Sequence, residues 1–259
     1  MRSTPVPIHS RDNALVKDLR RLSQDSTAYR KQGRVWLEGD HLCSAALARG
    51  QRPAMAVFSE SFWPVAPAEY AQAAIKNIVI ADALWADISG LESPARMGFV
   101  LDLPVAAQLD PLAPTVVLDR LQDAGNVGSI LRSASAFGFS QIAALKGTAA
   151  LWSAKVLRAG MGAHFALRLA EGLELADIDA LRVPLLATSS HGGDYLHRAA
   201  LPWPCGWIMG HEGQGVSDAL QQRARQLIRI AQPGGEESLN VGAAAAICLH
   251  ASAAAHARV

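Results

Sequence analysis

Three short segments of this 259-residue chain combine amides, carboxylates, a guanidinium and glycines in ways that suit ligand chemistry. In Leu118-Asp-Arg-Leu-Gln-Asp-Ala-Gly-Asn-Val-Gly-Ser-Ile-Leu-Arg132 a strand runs into a glycine-containing turn and then a helix. Asn126 stands in the helix's opening turn and Arg132 six residues later. They lie more than one turn apart and can hold different atoms of one extended ligand. Helix-start amides beside an arginine form a natural phosphate or oxyanion site. A helix cap at Asn126 and a surface ion pair at Arg132 explain the same residues without a ligand. In Ile208-Met-Gly-His-Glu-Gly-Gln-Gly-Val-Ser217 a strand ends in Gly210, Gly213 and Gly215. Such glycines let backbone approach a ligand closely or supply positive φ in a tight turn. Glu212 in that loop can orient a substrate, or simply satisfy loop amides. In Ile230-Ala-Gln-Pro-Gly-Gly-Glu-Glu-Ser-Leu-Asn-Val-Gly-Ala-Ala-Ala-Ala246 a strand gives way to a Pro-Gly-Gly turn, and Ser238 and Asn240 open a helix of tiny residues. Small side chains permit close packing within the chain or across a subunit interface, and Ser238 is also an ordinary N-cap residue.

Other chemistries lack their residues. The glycine spacing Gly-x-x-Gly-x-Gly is not the dinucleotide fingerprint, and there is no Gly-x-Ser-x-Gly elbow, His-Glu-x-x-His helix or P-loop. His191 and His197 have no evident metal partners, so most of the eight histidines are expected to be structural or superficial, and no metal is expected. Cys43, Cys205 and Cys248 are far apart and odd in number, which argues against a disulfide framework and fits a reducing cytoplasm. Met-Arg-Ser-Thr-Pro has no apolar leader, and Ala243–Leu249 is too short to span a bilayer, so a soluble, cytoplasmic protein without membrane attachment is expected.

Half the residues are hydrophobic and 18% charged, enough apolar content for a real core. The net charge of +1 does not indicate nucleic acid, but its distribution is uneven: residues 1–52 hold ten Lys/Arg against five acids. That suits a polyanion-facing module, although a solvated helical face accounts for the same charges.

The elements that must position these residues read as α/β. Asn13–Arg21 is expected to be a basic helix, Arg34–Leu37 a strand, and His41–Arg49 a helix capped by Asp40 and stopped by Gly50. Ala54–Phe58 and Asn77–Ile80 look like strands separated by a helix over Ala68–Lys76. Pro104, Pro111 and Pro114 mark a linker over residues 105–113, between a domain of residues 1–104 and one of residues 114–259. Beyond it, Thr115–Leu118, Gln141–Leu145, Leu185–Thr188, Trp207–Met209 and Leu227–Ile230 read as short buried strands. Helices are expected over Val127–Phe137, Ser153–His164, Ser217–Arg225 and Val241–Ala255. Buried strands alternating with helices imply a parallel sheet covered on both faces.

In order and content the three segments resemble the motifs of the SpoU (TrmH-type) branch of the SPOUT RNA methyltransferases. Asn126-x-Gly128-x-x-x-Arg132 looks like the first motif, Gly210-x-Glu212-Gly213-x-Gly215 the second and Ser238-Leu239-Asn240-Val241 the third. Lys155-Val-Leu-Arg158-Ala-Gly-Met-Gly162 is similar to the family's intervening helix, with Gly160 where serine is common, and Ile230-Ala231 stands where Ile-Pro is usual. The resemblance is strong over Pro114–Ala255. More weakly, Ser10–Lys17 and Arg34–Asp40 resemble the family's amino-terminal RNA-binding module. It implies a carboxy-terminal parallel sheet with a deep trefoil knot, preceded by a smaller α/β RNA-binding domain. The implied cofactor is S-adenosylmethionine, held around Thr188, Gly210, Ile230, Ser238 and Leu239. The implied reaction is methylation of a ribose 2′-hydroxyl in structured RNA, ribosomal RNA foremost, by a homodimer. Arg132 would face the ribose, with Asn126, Glu212, Ser238 and Asn240 positioning the nucleotide. A guanidinium stays protonated, so Arg132 suits stabilisation of a developing alkoxide or the grip of a phosphate better than proton abstraction. A transfer-RNA methyltransferase and a non-catalytic RNA-binding or ribosome-assembly factor are the alternatives.

Overall fold

The computed structural model describes residues 4–91, 93–235 and 238–256; Met1–Ser3 at the start and Glu236-Glu237 of the third segment lie outside the described residues. The chain forms two compact units, one running to Val105 and taking in Trp152–Phe165, the other comprising Ala106–Leu151 and the chain from Ala166 onward.

The first unit is built on β1 (Val6–Ile8), α1 (Ala14–Gln24), α2 (Ala28–Gln32), β2 (Arg34–Glu38), α3 (Asp40–Ala48), β3 (Met55–Ser59), α4 (Ala68–Ala73), β4 (Lys76–Ile80), α5 (Asp82–Ile88) and β5 (Met97–Asp102). Its sheet has the order β1-β4-β3-β5-β2, parallel except that β5 runs against β2 and β3. Asn13 caps α1, its Oδ1 accepting from the Leu15 amide at 2.9 Å. The helix buries Val16, Leu19 and Leu22 at threefold spacing, which leaves Lys17, Arg20 and Arg21 off that face. Much of the local basic excess is paired: Arg11 with Asp87, Lys17 with Asp12, Arg34 with Asp102.

Three expectations are corrected here. Asp40 does not cap α3: Gly39, at φ +95°, holds the cap position without a side-chain bond, and Asp40 is the first helical residue. The helix expected to reach Lys76 stops at Ala73, because Lys76 is already paired with Met55 across β3 and β4. The helix expected over Ser153–His164 is α7 (Ala154–Gly160), capped by Ser153 and ended by Met161 at φ +48°, and it packs against α1 and β2 of this first unit.

The second unit contains β6 (Thr115–Leu118), α6 (Ala124–Ala136), β7 (Gln141–Leu145), β8 (Arg168–Leu173), β9 (Leu185–Thr188), β10 (Asp194–Tyr195), β11 (Gly206–Met209), α8 (Asp218–Gln221), β12 (Gln226–Arg229) and α9 (Val241–His256). Its seven strands lie in the order β10-β12-β9-β11-β6-β7-β8, and every pairing is parallel. All residues of β6, β7 and β11 are buried, which explains why they are apolar apart from the opening Thr115 and Gln141, whose side chains hydrogen-bond each other: a parallel sheet is covered on both faces. Val117, Ala143, Ala187 and Ile208 anchor one side of this core together with Ile178 and Leu220. On another face α9 packs on α6, and the buried Trp207 Nε1 donates to Ser252 Oγ at 2.9 Å. The helix expected over Ser217–Arg225 is the single turn α8, and β8 and β10 were not anticipated.

The order of the strands creates the site. The chain passes from β6 outward to β7 and β8, then resumes on the other side of β6 with β9, and β11 lies between β6 and β9. In open parallel sheets, ligands bind outside the carboxyl ends of the strands where the winding direction reverses.

Candidate active site

The loops that leave the carboxyl ends of β9, β11 and β12 line a pocket of about 590 Å³. Thr188, Gly210, Ile230, Ser238 and Leu239, the residues expected to hold a cofactor, all lie on its wall, as do Glu212 and Asn240. Its apolar patches come from Ile228, Ile230, Leu239 and Val241. Apolar walls with a few convergent polar groups are the usual make-up of a cofactor site, and the volume is ordinary for one.

The backbone of the β11 loop is folded tightly on itself. The amide of His211 donates to the Gly215 carbonyl at 3.0 Å, and the Gly215 amide returns to His211 at 2.8 Å. A Cβ on Gly210 would fall 2.1 Å from the Val216 nitrogen, so no other residue fits there. His211 Nδ1 accepts from the Gly213 amide at 3.1 Å, which leaves Nε2 as the N–H of its neutral ring. At the base of the loop the buried Asp119 accepts from the Ser217 amide at 2.7 Å and from Arg120 Nε at 2.8 Å. Burial opposes its ionisation, but the hydrogen bonds from Arg120 and Ser217 prevail and hold its carboxyl below the ordinary aspartate range.

Glu212 reaches beyond its own loop. Its carboxylate accepts from the amides of Gln122 at 3.2 Å and Asp123 at 3.1 Å and from Asn126 Nδ2 at 3.3 Å, thereby joining the β11 loop to the start of α6. Burial alone would raise its pKa; the amides of Glu212 itself, Asp123 and Gln122, with Asn126, outweigh it and hold the group below the usual glutamate value.

Asn126 is not the cap of α6. Asp123 is, its Oδ1 accepting from the Asn126 amide at 2.7 Å, so the Asn126 side chain is released for other work. Its Nδ2 faces Glu212 and its Oδ1 accepts from Asn240 Nδ2 at 2.9 Å. Asn240 Oδ1 in turn accepts from the amides of Gly242 at 2.9 Å and Ala243 at 3.2 Å. The capping role expected of Ser238 therefore belongs to Asn240, and Ser238 makes no side-chain hydrogen bond among the described residues. Both asparagine orientations follow from the chain's chemistry, since a carboxylate only accepts and backbone amides only donate.

Two predicted residues lie outside the pocket lining: Asn126, which reaches it through Glu212 and Asn240, and Arg132, which makes no such link. Arg132 lies exposed on α6, and neither the expected surface ion pair nor any hydrogen bond holds it among the described residues. Six helical residues turn it away from Asn126 and displace it by about 9 Å along the axis. Conversely, His191, expected to be structural or superficial, lines the pocket, as do His211 and Gln232, which were not expected in the site. Asp119 carried one legible signal, an acid closing an otherwise apolar strand. Among the described residues no group of three His, Cys, Asp or Glu is placed to hold a metal ion, and no helix is long and apolar enough to cross a membrane.

A parallel sheet with a three-loop pocket at its carboxyl edge, and polar links between three separated segments, defines an α/β enzyme of the cofactor-binding kind. Residues 113–250 match the model of the SpoU rRNA methylase family. The chain is 27% identical over 247 residues to the 23S rRNA (guanosine(2553)-2′-O)-methyltransferase RlmP of Bacillus subtilis, covering 94% of this chain and 97% of that one. It is 30% identical to an uncharacterised tRNA/rRNA methyltransferase of Synechocystis, covering 94% and 92%. The AdoMet-bound rRNA methyltransferase of Sinorhizobium meliloti superposes with a TM-score of 0.84 at 26% identity, covering 97% of this chain and 98% of that one. The chain belongs to the SpoU rRNA methylase family. It is an S-adenosylmethionine-dependent RNA methyltransferase.

Proposed function

We propose that the protein methylates a ribose 2′-hydroxyl of ribosomal RNA, with the cofactor in the pocket bounded by the β9, β11 and β12 loops. The observation that carries this reading is the chain Glu212–Asn126–Asn240, which ties all three motif segments into one hydrogen-bonded unit beside that pocket. Ribosomal RNA is favoured because the RlmP relative, alike over nearly its whole length, is named for a 23S rRNA 2′-O-methylation.

The residues present suit S-adenosylmethionine. Thr188, Gly210, Ile230, Ser238 and Leu239 would hold it, the apolar side chains against the adenine and ribose and the loop backbone against the polar groups. When bound, the cofactor supplies a methyl group already activated on a sulfonium. The protein's own task is then to bring the ribose oxygen into line and to favour its developing negative charge. Asn126, Glu212, Ser238 and Asn240 would position the nucleotide, Glu212 by fixing the amide of Asn126. Arg132, exposed and unpaired among the described residues, would stabilise the alkoxide or grip a neighbouring phosphate.

The residues of 1–104 would form the RNA-binding domain, 105–113 a linker and 114–259 the catalytic domain. Arg20 and Arg30 on α1 and α2 would meet phosphates. A trefoil knot in the catalytic domain is supported by the insertion of β11 between β6 and β9 and by the family. A homodimer formed through α9 is supported by its small residues and by Ile247, apolar yet 41% exposed. A cytoplasmic location fits an rRNA substrate.

Mapping ribose 2′-O-methylation in ribosomal RNA from cells with and without the gene tests the reading. Loss of one site is expected. Loss of a tRNA methyl instead would transfer the activity to that substrate, and unchanged methylation throughout would sink it.

A further inference from the structure

Beside the pocket, one lining residue carries a sheltered, unsatisfied polar atom among the described residues. Gln232 lines the pocket, in the loop beyond β12, and its side-chain Oε1 is buried without a hydrogen-bond partner among the described residues. A buried acceptor left unpaired destabilises a fold, and natural structures rarely tolerate one without a purpose. Gln232 is two residues past Ile230, which with Ile228 and Leu239 belongs to the pocket's apolar lining. A flat, weakly polar ring fits such a wall, and a ring's edge would then come to the adjoining Gln232.

We propose that Gln232 reads the adenine of the cofactor, its side-chain carbonyl accepting a hydrogen bond from the exocyclic 6-amino group. The inference rests on the reading of this pocket as the S-adenosylmethionine site. Of the cofactor's donors, the 6-amino group is the one carried on the edge of an apolar ring; the ammonium and the ribose hydroxyls sit on polar groups that the apolar wall does not suit. The terminal torsion of a glutamine side chain is broad and soft, so the amide can turn from its sheltered position to the ligand at little cost. Binding thus removes an unpaired acceptor as well as adding a bond. A 6-oxo purine would present an acceptor to that carbonyl, and turning the amide to donate its NH2 instead would leave Oε1 unpaired again, so the 6-amino ligand is preferred.

Calorimetry with S-adenosylhomocysteine and S-inosylhomocysteine, which differ at that group, tests the assignment on the full-length protein. The parent is expected to prefer the adenosyl ligand. In Gln232→Met, which keeps the bulk and loses the acceptor, the preference falls about tenfold, the worth of one such hydrogen bond. Gln232→Glu, which keeps an acceptor, retains it. Unliganded Gln232→Met should melt no lower than the parent, because the substitution removes the unpaired acceptor. An unchanged preference in Gln232→Met, a parent that favours the inosyl ligand, or a lower melting temperature of the unliganded variant would each overturn the proposal. If the folded parent binds neither ligand, the cofactor assignment of the pocket itself falls, and this inference with it.

Discussion

The side-chain amide of Asn240 donates to Oδ1 of Asn126 at 2.9 Å, across 114 residues of sequence. The bond makes the start of α9 and the start of α6 one rigid piece, and Glu212 fastens the β11 loop to the same piece through Asn126. Three segments that carry no fixed relation in an extended chain are thus held in one geometry by two amides and a carboxylate. Preorganisation of this kind is what a transfer reaction needs from its protein, because misplacement of the acceptor by about 1 Å costs about a hundredfold in rate.

Asn240→Asp separates that link from the helix cap. The carboxylate still accepts from the amides of Gly242 and Ala243, so α9 keeps its start, but it now faces Asn126 Oδ1 with another acceptor. Stability should fall by about 1 kcal/mol, since one hydrogen bond is lost and a repulsive contact made. Methyl transfer should fall by tenfold or more. Urea melts and initial rates check the two together; a rate unchanged within twofold would show that the link does not position the nucleotide.

Glu212 sets an acid limit on stability. Its folded pKa lies below the ordinary glutamate value despite the cost of burial, because amides of the loop and of the α6 start bind the ionised form. A depressed carboxylate contributes stability that is fully present above its unfolded pKa of about 4.3 and is lost as pH falls through its folded value. Glu212→Gln should therefore be less stable than the parent at pH 7, and the gap should close as the pH is taken down below about 4.3. Denaturation midpoints from pH 7 to pH 3 test this. A gap that stays constant would mean that the charge of Glu212 does not matter to the fold.

Much of this architecture is legible in the residues themselves, for reasons that differ from element to element. Thr115–Leu118, Gln141–Leu145 and Leu185–Thr188 agree to the residue with the observed strands, because burial on both faces makes each a short apolar run bounded by a single polar residue at one end. The strand Asp194–Tyr195 escapes notice because it is two residues long at the sheet's edge, and α8 is overestimated because a helix pattern does not record where tertiary contacts stop. The motif residues could be found, but their duties could not. Asp123 and Asn126 are both good capping residues, as are Ser238 and Asn240, and only the folded chain decides which of each pair caps. His191, His211 and Gln232 carry no local signal: they share a pocket only because β9, β11 and β12 end side by side.

The cysteines should be chemically silent. Burial pushes the Cys205 thiol up to about 11 and Cys248 up to about 12, and it raises Cys43 as well. The thiolate is the reactive form, and all three thiols are shielded. Iodoacetamide at pH 8 is expected to leave the folded protein unlabelled for hours and to modify all three residues once urea unfolds it. Rapid modification of Cys205 or Cys248 in the native protein would show that the region where α9 meets β11 opens far more readily than its burial implies.

Arg132 is the sharpest test of how duties are divided between cofactor and substrate. It sits on α6, outside the pocket lining, with an exposed guanidinium that nothing neutralises among the described residues. Its removal should therefore leave the cofactor's surroundings intact and deprive only the reacting oxygen or a phosphate of a positive charge. Arg132→Ala should lower methyl transfer by about a hundredfold or more, the usual cost of losing a group that stabilises charge in a transition state. Cofactor affinity by calorimetry should stay within about twofold, and the melting temperature should hold, as for other exposed positions away from packing contacts. Arg132→Lys keeps the charge but not the planar fork, so it should recover only part of the rate if the partner is a phosphate or a carboxylate-like oxygen pair, and most of it if a single alkoxide is served. A parallel loss of cofactor binding and rate in Arg132→Ala would contradict the division and place the guanidinium on the cofactor's side.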